Sequence, residues 1–324
     1  RSYVEMSSLR KHFEQILEPA GIQINGAHPW DITVHNERLF SRISRDGTLG
    51  LGEAYMDGWW DCESIDEMIT RSFRAGLEDK IRSNFKFFIY LIGLRLMNRQ
   101  SESRAFQVAE QHYDIGNDIF ERMLDKHMNY SCGFWESAKC LEDAQMAKME
   151  MICEKLQLER GMKVLEIGCG WGALARWMSQ RYGVSVTGIT VSKEQAKLAR
   201  SRCAGLPVSI ELADYRALNG EYDRIVSVGM LEHVGQKNYR TYFAKARSLL
   251  KDQGLFLLHT IGAGREGFAT DRWIEKYIFP NGVLPPADAL AKTAGEFFTI
   301  EDWHNFGADY DPTLMAWYEN FNRS

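Results

Sequence analysis

The segment Val164-Leu165-Glu166-Ile167-Gly168-Cys169-Gly170-Trp171-Gly172 decides the fold class of this chain. A short apolar run leads into three glycines at alternate positions, and a helical pattern follows up to Gly183. In a doubly wound sheet, glycines that follow a strand allow the backbone to approach a ligand at the carboxyl edge. The segment therefore predicts a strand, a ligand-binding loop and a helix within one βαβ unit.

Further apolar runs bounded by turns follow this loop and alternate with helical patterns. Such alternation is typical of a parallel, doubly wound α/β sheet. A sixth strand is predicted at Glu296–Asp302. The other predicted strands are Lys163–Ile167, Ser185–Ile189, Pro207–Glu211, Tyr222–Val228 and Gly254–Thr260.

The glycine loop also indicates the class of ligand. The dinucleotide fingerprint is G-x-G-x-x-G, whereas this loop reads G-x-G-x-G and carries Glu166 two residues before its first glycine. This pattern resembles the first motif of S-adenosylmethionine (AdoMet) dependent methyltransferases, and Glu166 would suit the methionyl ammonium of AdoMet. The second strand lacks the acid that commonly holds a ribose, so Thr190 or Gln195 is predicted to supply hydrogen bonds there. NAD is the alternative ligand.

Composition and charge narrow the classes of protein to which this sequence can belong. The 324 residues predict two domains, or one large domain with a substantial appendage, and 45% apolar content is ample for a core. A net charge of −5 argues against a nucleic-acid binder. The longest apolar run, Phe87–Leu94, is far shorter than the roughly 20 residues of a spanning helix, and no signal-peptide pattern precedes it. The six cysteines have no paired spacing, which predicts reduced thiols, no metal site and a cytoplasmic protein.

The first 80 residues predict short helices and turns. Ser7–Leu17 has helical spacing, and Gly50–Trp60 predicts a tightly turned, aromatic-packed segment. In residues 80–100, five basic residues bracket an apolar run, which fits either a helix on an anionic bilayer or an ordinary packing helix. We predict a smaller, mainly helical N-terminal domain at 1–100, a linker at 101–108 and an AdoMet-dependent catalytic domain at 109–324.

Nine ordered motifs then identify a resemblance to bacterial cyclopropane-fatty-acyl-phospholipid synthases from about residue 40 to the end. Residues 110–320 are also similar to the mycolic acid cyclopropane synthases. The motifs are MDGWW (56–60), HYDIGND (112–118), YSCGFW (130–135), LEIGCGWG (165–172), GITVSKEQ (188–195), VSVGMLEHVG (226–235), LLHTIG (257–262), KYIFPNG (276–282) and NFGADYD (305–311).

The resemblance implies a class I AdoMet methyltransferase sheet and a reaction. In this family the AdoMet methyl is joined across a cis double bond of a phospholipid acyl chain, a bound bicarbonate removes a proton, and a cyclopropane forms. The residues implied to hold bicarbonate are Cys132, Glu232, His259, the backbone of Ile261, and Tyr310. The residues implied to bind AdoMet are Tyr130, Ser131, Glu166, Gly168, Gly170, Thr190, Gln195, Asp214 and Tyr215.

The same resemblance implies transient contact with the inner face of the membrane and a homodimer supported by the N-terminal domain. A lipid channel is expected near Trp135, Met230, Leu231, Phe279 and Tyr310. The sequence does not begin with Met, which leads us to expect trimming at its start. Family members continue past Ser324 into a seventh, antiparallel strand, which leads us to expect trimming at its end as well.

Three alternatives remain open at this point. An acyl-lipid methyltransferase would use the same site but yield a branched chain. A non-catalytic lipid- or AdoMet-binding module would have a degenerate site, and a NAD-dependent oxidoreductase would bind a different cofactor at the glycine loop.

Overall fold

The computed structural model describes residues 3–77, 117–263 and 271–324. The chain divides into two compact units. The first comprises Arg1–Met97 with Thr270–Ile278, and the second comprises Asn98–Ala269 with Phe279–Ser324. The basic, apolar stretch at 80–100, the predicted linker and most of HYDIGND lie outside the described residues.

The first unit is mainly helical, as predicted, and contains a small antiparallel sheet in which Thr33 pairs with Asp61. Its core includes Ile22, Leu39, Phe40 and Trp60, each at most 4% exposed. The elements are α1 (Tyr3–Leu17), β1 (Thr33–Val34), α2 (Arg38–Asp46), α3 (Thr48–Met56), β2 (Trp60–Asp61) and α4 (Ile65–Arg74).

The prediction of a tightly turned segment at Gly50–Trp60 is wrong for most of its length, because α3 continues to Met56. Gly58 does lie in a turn, with a φ of 68°, whereas Gly50 serves close packing. A Cβ at Gly50 would lie 2.6 Å from the Arg42 carbonyl oxygen, so a larger residue would push α2 and α3 apart.

A helix from late in the chain completes this unit. Lys276 Nζ and the Tyr277 hydroxyl both reach Glu53 Oε1 on α3, at 2.6 and 2.9 Å, and Arg42 contacts the other carboxylate oxygen at 3.0 Å. These partners, Lys276 first, lower the pKa of Glu53 to about 2. The helix is α10, and its bounds are Arg272–Tyr277.

The second unit is built on a parallel sheet of five strands in the order β5-β4-β3-β6-β7. Its helices before and within the sheet region are α5 (Asp118–Met123), α6 (Leu141–Lys155), α7 (Ala173–Tyr182), α8 (Lys193–Arg202) and α9 (Tyr239–Leu249). The strands are β3 (Lys163–Ile167), β4 (Ser185–Thr190), β5 (Val208–Leu212), β6 (Tyr222–Val228) and β7 (Leu250–His259). Helices α11 (Ala287–Ala294) and α12 (Tyr310–Arg323) follow.

The sheet has an apolar cluster on each face. Leu165 and Ile225 pack with α9 on one face, whereas Val164 and Val226 pack with α7 on the other. Because both faces are covered, the strands are nearly continuous apolar runs, which made them recognisable in the sequence.

The predicted strand at Glu296–Asp302 is wrong, because this segment has no strand in the structure. The Phe298 ring packs against the sheet and a helix instead: it lies 5.5 Å from the Phe256 ring on β7 and 6.3 Å from the Phe243 ring on α9. Burial of these rings accounts for the apolar pattern without a ladder of backbone hydrogen bonds. None of the helices in the described ranges has the length and hydropathy needed to cross a bilayer.

Candidate active site

The glycine loop after β3 is held by the neighbouring strand β4. The Gly168 and Cys169 amides both donate to the Ile189 carbonyl oxygen, at 3.0 and 2.8 Å. Gly168 has a φ of 85°, and a Cβ there would lie 3.0 Å from Met230 Cβ. A side chain is therefore excluded where the loop backbone lines a cleft at the carboxyl edge of the sheet.

Glu166 stands on β3 just before this loop and is 3% exposed. Its Oε2 atom has no hydrogen-bond partner among the described residues. Burial raises the pKa of Glu166, and the nearby Lys148 and the Ala175 backbone oppose that shift. A buried carboxylate that keeps an unpaired oxygen at a cleft is suited to a cationic group of a ligand.

Thr190 and Gln195 form one polar pair at the end of β4 and the start of α8. Thr190 Oγ1 bonds Gln195 Oε1 at 2.8 Å, and Ser192 Oγ caps α8 by accepting from the Gln195 amide at 3.2 Å. The pair lies where the sequence predicted ribose contacts in place of the missing acid.

Asp214 and Tyr215 follow β5 and are buried. The Asp214 carboxylate accepts from the Arg216 amide at 2.9 Å and from Arg216 Nη1 at 3.0 Å. Both carboxylate oxygens are thus engaged within their own turn. The Tyr215 ring lies 5.2 Å from Tyr242, which fixes it against the core.

A loop before α6 supplies Tyr130 and Ser131. Asp125 fixes this loop by accepting hydrogen bonds from two of its backbone amides. From α6, Gln145 Nε2 donates to the Ser131 carbonyl oxygen at 2.8 Å, and Lys148 Nζ donates to Ser131 Oγ at 2.7 Å. Two side chains of α6 therefore hold Ser131 in place.

The structure brings all the sequence-predicted cofactor residues together on the wall of one cleft. They are Tyr130, Ser131, Glu166, Gly168, Gly170, Thr190, Gln195, Asp214 and Tyr215.

The residues implied to hold bicarbonate lie beside this cleft; Cys132 and Glu232 are buried, and His259, Ile261 and Tyr310 are half-buried. Glu232 is 8% exposed and lies between Met230 and His233, which both line the cleft. Its Oε1 atom accepts from the Ile261 amide at 2.8 Å, whereas Oε2 has no partner among the described residues. Burial raises the pKa of Glu232.

His259 ends β7 with its ring 5.1 Å from the Phe306 ring. Its Nδ1 atom is buried and has no hydrogen-bond partner within the described ranges. Burial, with a smaller effect of Lys148, lowers the pKa of His259 to about 3, so the imidazole is neutral near pH 7.

Cys132 and Tyr310 meet at the start of α12. The Tyr310 hydroxyl interacts with the Cys132 backbone, and the charge of Glu232 also acts on Tyr310. Burial raises the pKa of Cys132 to about 11, so the thiol stays protonated at neutral pH. A protonated thiol suits a polar contact and not a nucleophile.

Some of the residues expected to line a lipid channel lie at the cleft, and one lies in the core of the sheet. Met230 lines the cleft, and Phe279 lies 6.2 Å from the Tyr130 ring. Leu231, in contrast, has no exposed surface and belongs to the sheet core, so its assignment to a channel is wrong. It follows Met230 in a short turn that directs it inward.

Two supporting residues were missed by the sequence reasoning. Lys148 falls on the same helical stripe as Leu141, Ala144 and Ile152, so a charged residue on an apolar stripe was the available signal. Thr313 carries no such signal. Its buried hydroxyl receives hydrogen bonds from loops that are distant in sequence.

Comparisons with known proteins agree on one family. The family model described as mycolic acid cyclopropane synthetase matches residues 100–324. The chain is 56% identical to the cyclopropane-fatty-acyl-phospholipid synthase of Escherichia coli K12, over 95% of this chain and 80% of that protein.

Solved structures give the same result. The cyclopropane synthase MmaA2 of Mycobacterium tuberculosis superposes with a TM-score of 0.64 at 33% identity, covering 67% of this chain and 83% of that one. Mycolic acid cyclopropane synthase CmaA1, solved with SAH and CTAB, gives a TM-score of 0.63 at 32% identity, covering 66% and 82%.

Proposed function

The chain belongs to the mycolic acid cyclopropane synthetase family and is an AdoMet-dependent enzyme of the methyltransferase class, and from this premise we propose its reaction. It transfers the methylene derived from the AdoMet methyl to a cis double bond of phospholipid acyl chains, with bound bicarbonate as the base. The observation that carries the proposal is the pair of unpartnered, buried polar atoms, Glu232 Oε2 and His259 Nδ1, beside the cleft.

The cleft fits AdoMet in its chemistry. Glu166 offers an unpaired carboxylate oxygen for the amino group, and Gly168 presents bare backbone. Thr190 and Gln195 would hold the ribose. When bound, AdoMet supplies an electrophilic methyl group.

The residues beside the cleft that are implied to hold bicarbonate fit an anion with one O–H group. Glu232 Oε2 would accept from the bicarbonate hydroxyl, while the Cys132 thiol, the neutral His259 imidazole and the Tyr310 phenol can donate to its oxygens. Since the Ile261 amide already donates to Glu232, we assign Ile261 the role of orienting that carboxylate.

The surroundings would also protect a cationic lipid intermediate. Cys132 is 1% exposed and His259 lies against Phe306, so little water reaches this group. Exclusion of water limits capture of the carbocation and strengthens the polar contacts. Bicarbonate would take up the proton that leaves the transferred carbon, after which the ring closes.

We propose that the enzyme reaches its lipid as a homodimer at the inner membrane face. In this proposal residues 1–100 engage the bilayer, 101–108 link the domains and 109–324 carry out the reaction. The basic, apolar sequence at 80–100 supports the proposal, although it falls outside the described residues.

The experiment combines the purified protein with methyl-labelled AdoMet, bicarbonate and vesicles of cis-monounsaturated phospholipid. We expect the acyl chain to gain one CH₂ and lose its alkene, as read by mass and proton spectra. Retained unsaturation, or the extra hydrogen of a reduced methyl branch, would point to the acyl-lipid methyltransferase alternative. Absence of label from lipid would refute the phospholipid substrate.

Glu232→Gln tests the base site in the same assay. The amide can still accept from Ile261 through its carbonyl oxygen, but its NH₂ group replaces the acceptor that would face bicarbonate. We expect product formation to fall at least a hundredfold while S-adenosylhomocysteine binding is unchanged. Glu296→Gln, at an exposed carboxylate that pairs with Arg240, is the matched control and should keep full activity.

A further inference from the structure

Lys148 is a buried cation on the wall of the cleft. The residue is 2% exposed and projects from α6, yet it lines the cleft together with Ser131 and Glu166. Within the described part of the chain, its ammonium donates to Ser131 Oγ at 2.7 Å and to Asn129 Oδ1 at 3.4 Å. Both acceptors are neutral oxygens, and a lysine ammonium has three protons to donate.

Among the described residues, the contacts of the Lys148 ammonium are the two neutral oxygens, and none is a carboxylate. Asp125 and Glu166 act on it only at longer range. Asp125 is already engaged by the Asn129 amide at 2.7 Å and the Asn129 side chain at 3.1 Å. Buried charges in proteins are generally paired, so the arrangement leaves room for an anionic partner supplied by a ligand.

The cleft also holds a carboxyl group close to this cation. Glu166 carries its unpaired Oε2 at the same wall. A lysine and a glutamate side by side are complementary to a zwitterion, because each end of an amino-acid group meets the opposite charge. Such pairing leaves no net charge buried.

We infer that Lys148 binds the amino-acid carboxylate of AdoMet, while Glu166 faces its amino group. The inference rests on the proposed cofactor. Bicarbonate is the other anion of the proposed reaction, and the charge of Lys148 also acts on Cys132 and His259 of its group. Lys148 nevertheless lines the cleft together with Ser131 and Glu166, whereas Cys132, Glu232 and His259 do not line it. The location of the lysine thus favours the cofactor.

The test compares the affinities of S-adenosylhomocysteine and its decarboxylated analogue, which lacks only the carboxylate. Isothermal titration measures both ligands against the purified protein. A charge-assisted hydrogen bond predicts that the wild type prefers the carboxylate form about ten- to a hundredfold. In Lys148→Met that preference should fall below about threefold.

Gln145→Met is the matched control. Gln145 also holds Ser131 from α6, through the carbonyl oxygen at 2.8 Å, but carries no charge. If Lys148 served only to support the loop, both variants would weaken the two ligands equally. We expect Gln145→Met to keep the wild-type preference. Lys148→Gln, which retains hydrogen-bonding capacity without charge, repeats the test if the methionine variant does not fold.

The outcomes are separable. Equal binding of both ligands by the wild type would overturn the inference and leave the proposed function intact. An undiminished preference in both neutral lysine variants would also overturn it. Failure of the wild type to bind S-adenosylhomocysteine at all would refute the proposed function itself.

Discussion

Thr313→Val removes one buried hydroxyl that joins the loop at Gly133–Trp135 to the start of α12. Thr313 Oγ1 accepts from the Gly133 amide at 3.1 Å and from Trp135 Nε1 at 2.8 Å, and donates to the Asp309 carbonyl oxygen at 2.7 Å. Valine has nearly the same shape, so the substitution creates no appreciable cavity. It leaves two donors without their acceptor.

The expected loss of stability follows from those two donors. A buried donor that loses its partner costs about 1–3 kcal/mol. The Gly133 amide is buried and the Trp135 indole is part-buried, so its share belongs at the low end. We expect the free energy of unfolding of this unit to fall by about 2–4 kcal/mol.

Urea denaturation of the variant and a control measures this difference. Thr293→Val is the matched control. Thr293 Oγ1 likewise donates to a carbonyl oxygen four residues earlier, that of Ala289, at 2.8 Å, but Thr293 Oγ1 accepts no hydrogen bond from an N–H group of the described residues. It should stay within about 1 kcal/mol of the wild type. Equal losses in the two variants would refute the assignment of the effect to the accepted hydrogen bonds.

Two further predictions concern the cleft and its buried histidine. Gly168→Ala should destabilise the protein and weaken S-adenosylhomocysteine binding more than Gly205→Ala does. Both glycines have a positive φ (85° and 80°), but only at Gly168 would the added Cβ meet another residue, Met230, within 4 Å. Equal effects of the two substitutions in denaturation and titration would contradict the close-contact argument. For His259, whose pKa falls from 6.5 to about 3 on folding, the unfolded chain takes up a proton that the folded chain lacks, so stability is lost as pH falls from about 6.5 towards 3. The slope is at most about 1.4 kcal/mol per pH unit. His259→Gln should lack this component in urea denaturation at pH 7 and pH 5, and parallel pH profiles would argue against a buried neutral imidazole.

The sequence predicts much of the sheet because its strands are covered on both faces. Lys163–Ile167 and Tyr222–Val228 agree with the structure at both ends, and the family resemblance read from ordered motifs is confirmed by the comparisons. Most of the predicted cofactor residues belong to motifs at the ends of strands, and the parallel topology brings those strand ends to one edge of the sheet. Tyr130 and Ser131 come from the loop before α6 and were implied by the family resemblance alone.

The features that could not be predicted from the sequence depend on contacts between segments that are distant in the chain. In the sequence, Phe297 and Phe298 do not follow the clean alternation of apolar and polar residues that marks a half-buried strand. Only the position of α9 in the structure shows where their rings pack. Lys148 has the helical spacing of a core residue, and nothing local reveals that the cleft lies beyond it. The role of Thr313 arises from loops about 180 residues earlier in the chain.

The late arrival of α10 in the first unit has a consequence for biosynthesis. Trp273 Nε1 contacts Met56 Sδ across 217 residues of chain. At about 5–20 residues per second, a ribosome needs about 10–40 s to make that interval. During this time α3 has emerged while the helix that neutralises Glu53 does not yet exist. The N-terminal unit can therefore be finished only after every strand of the catalytic sheet has been translated, so the segment made first is among the last to reach its final form.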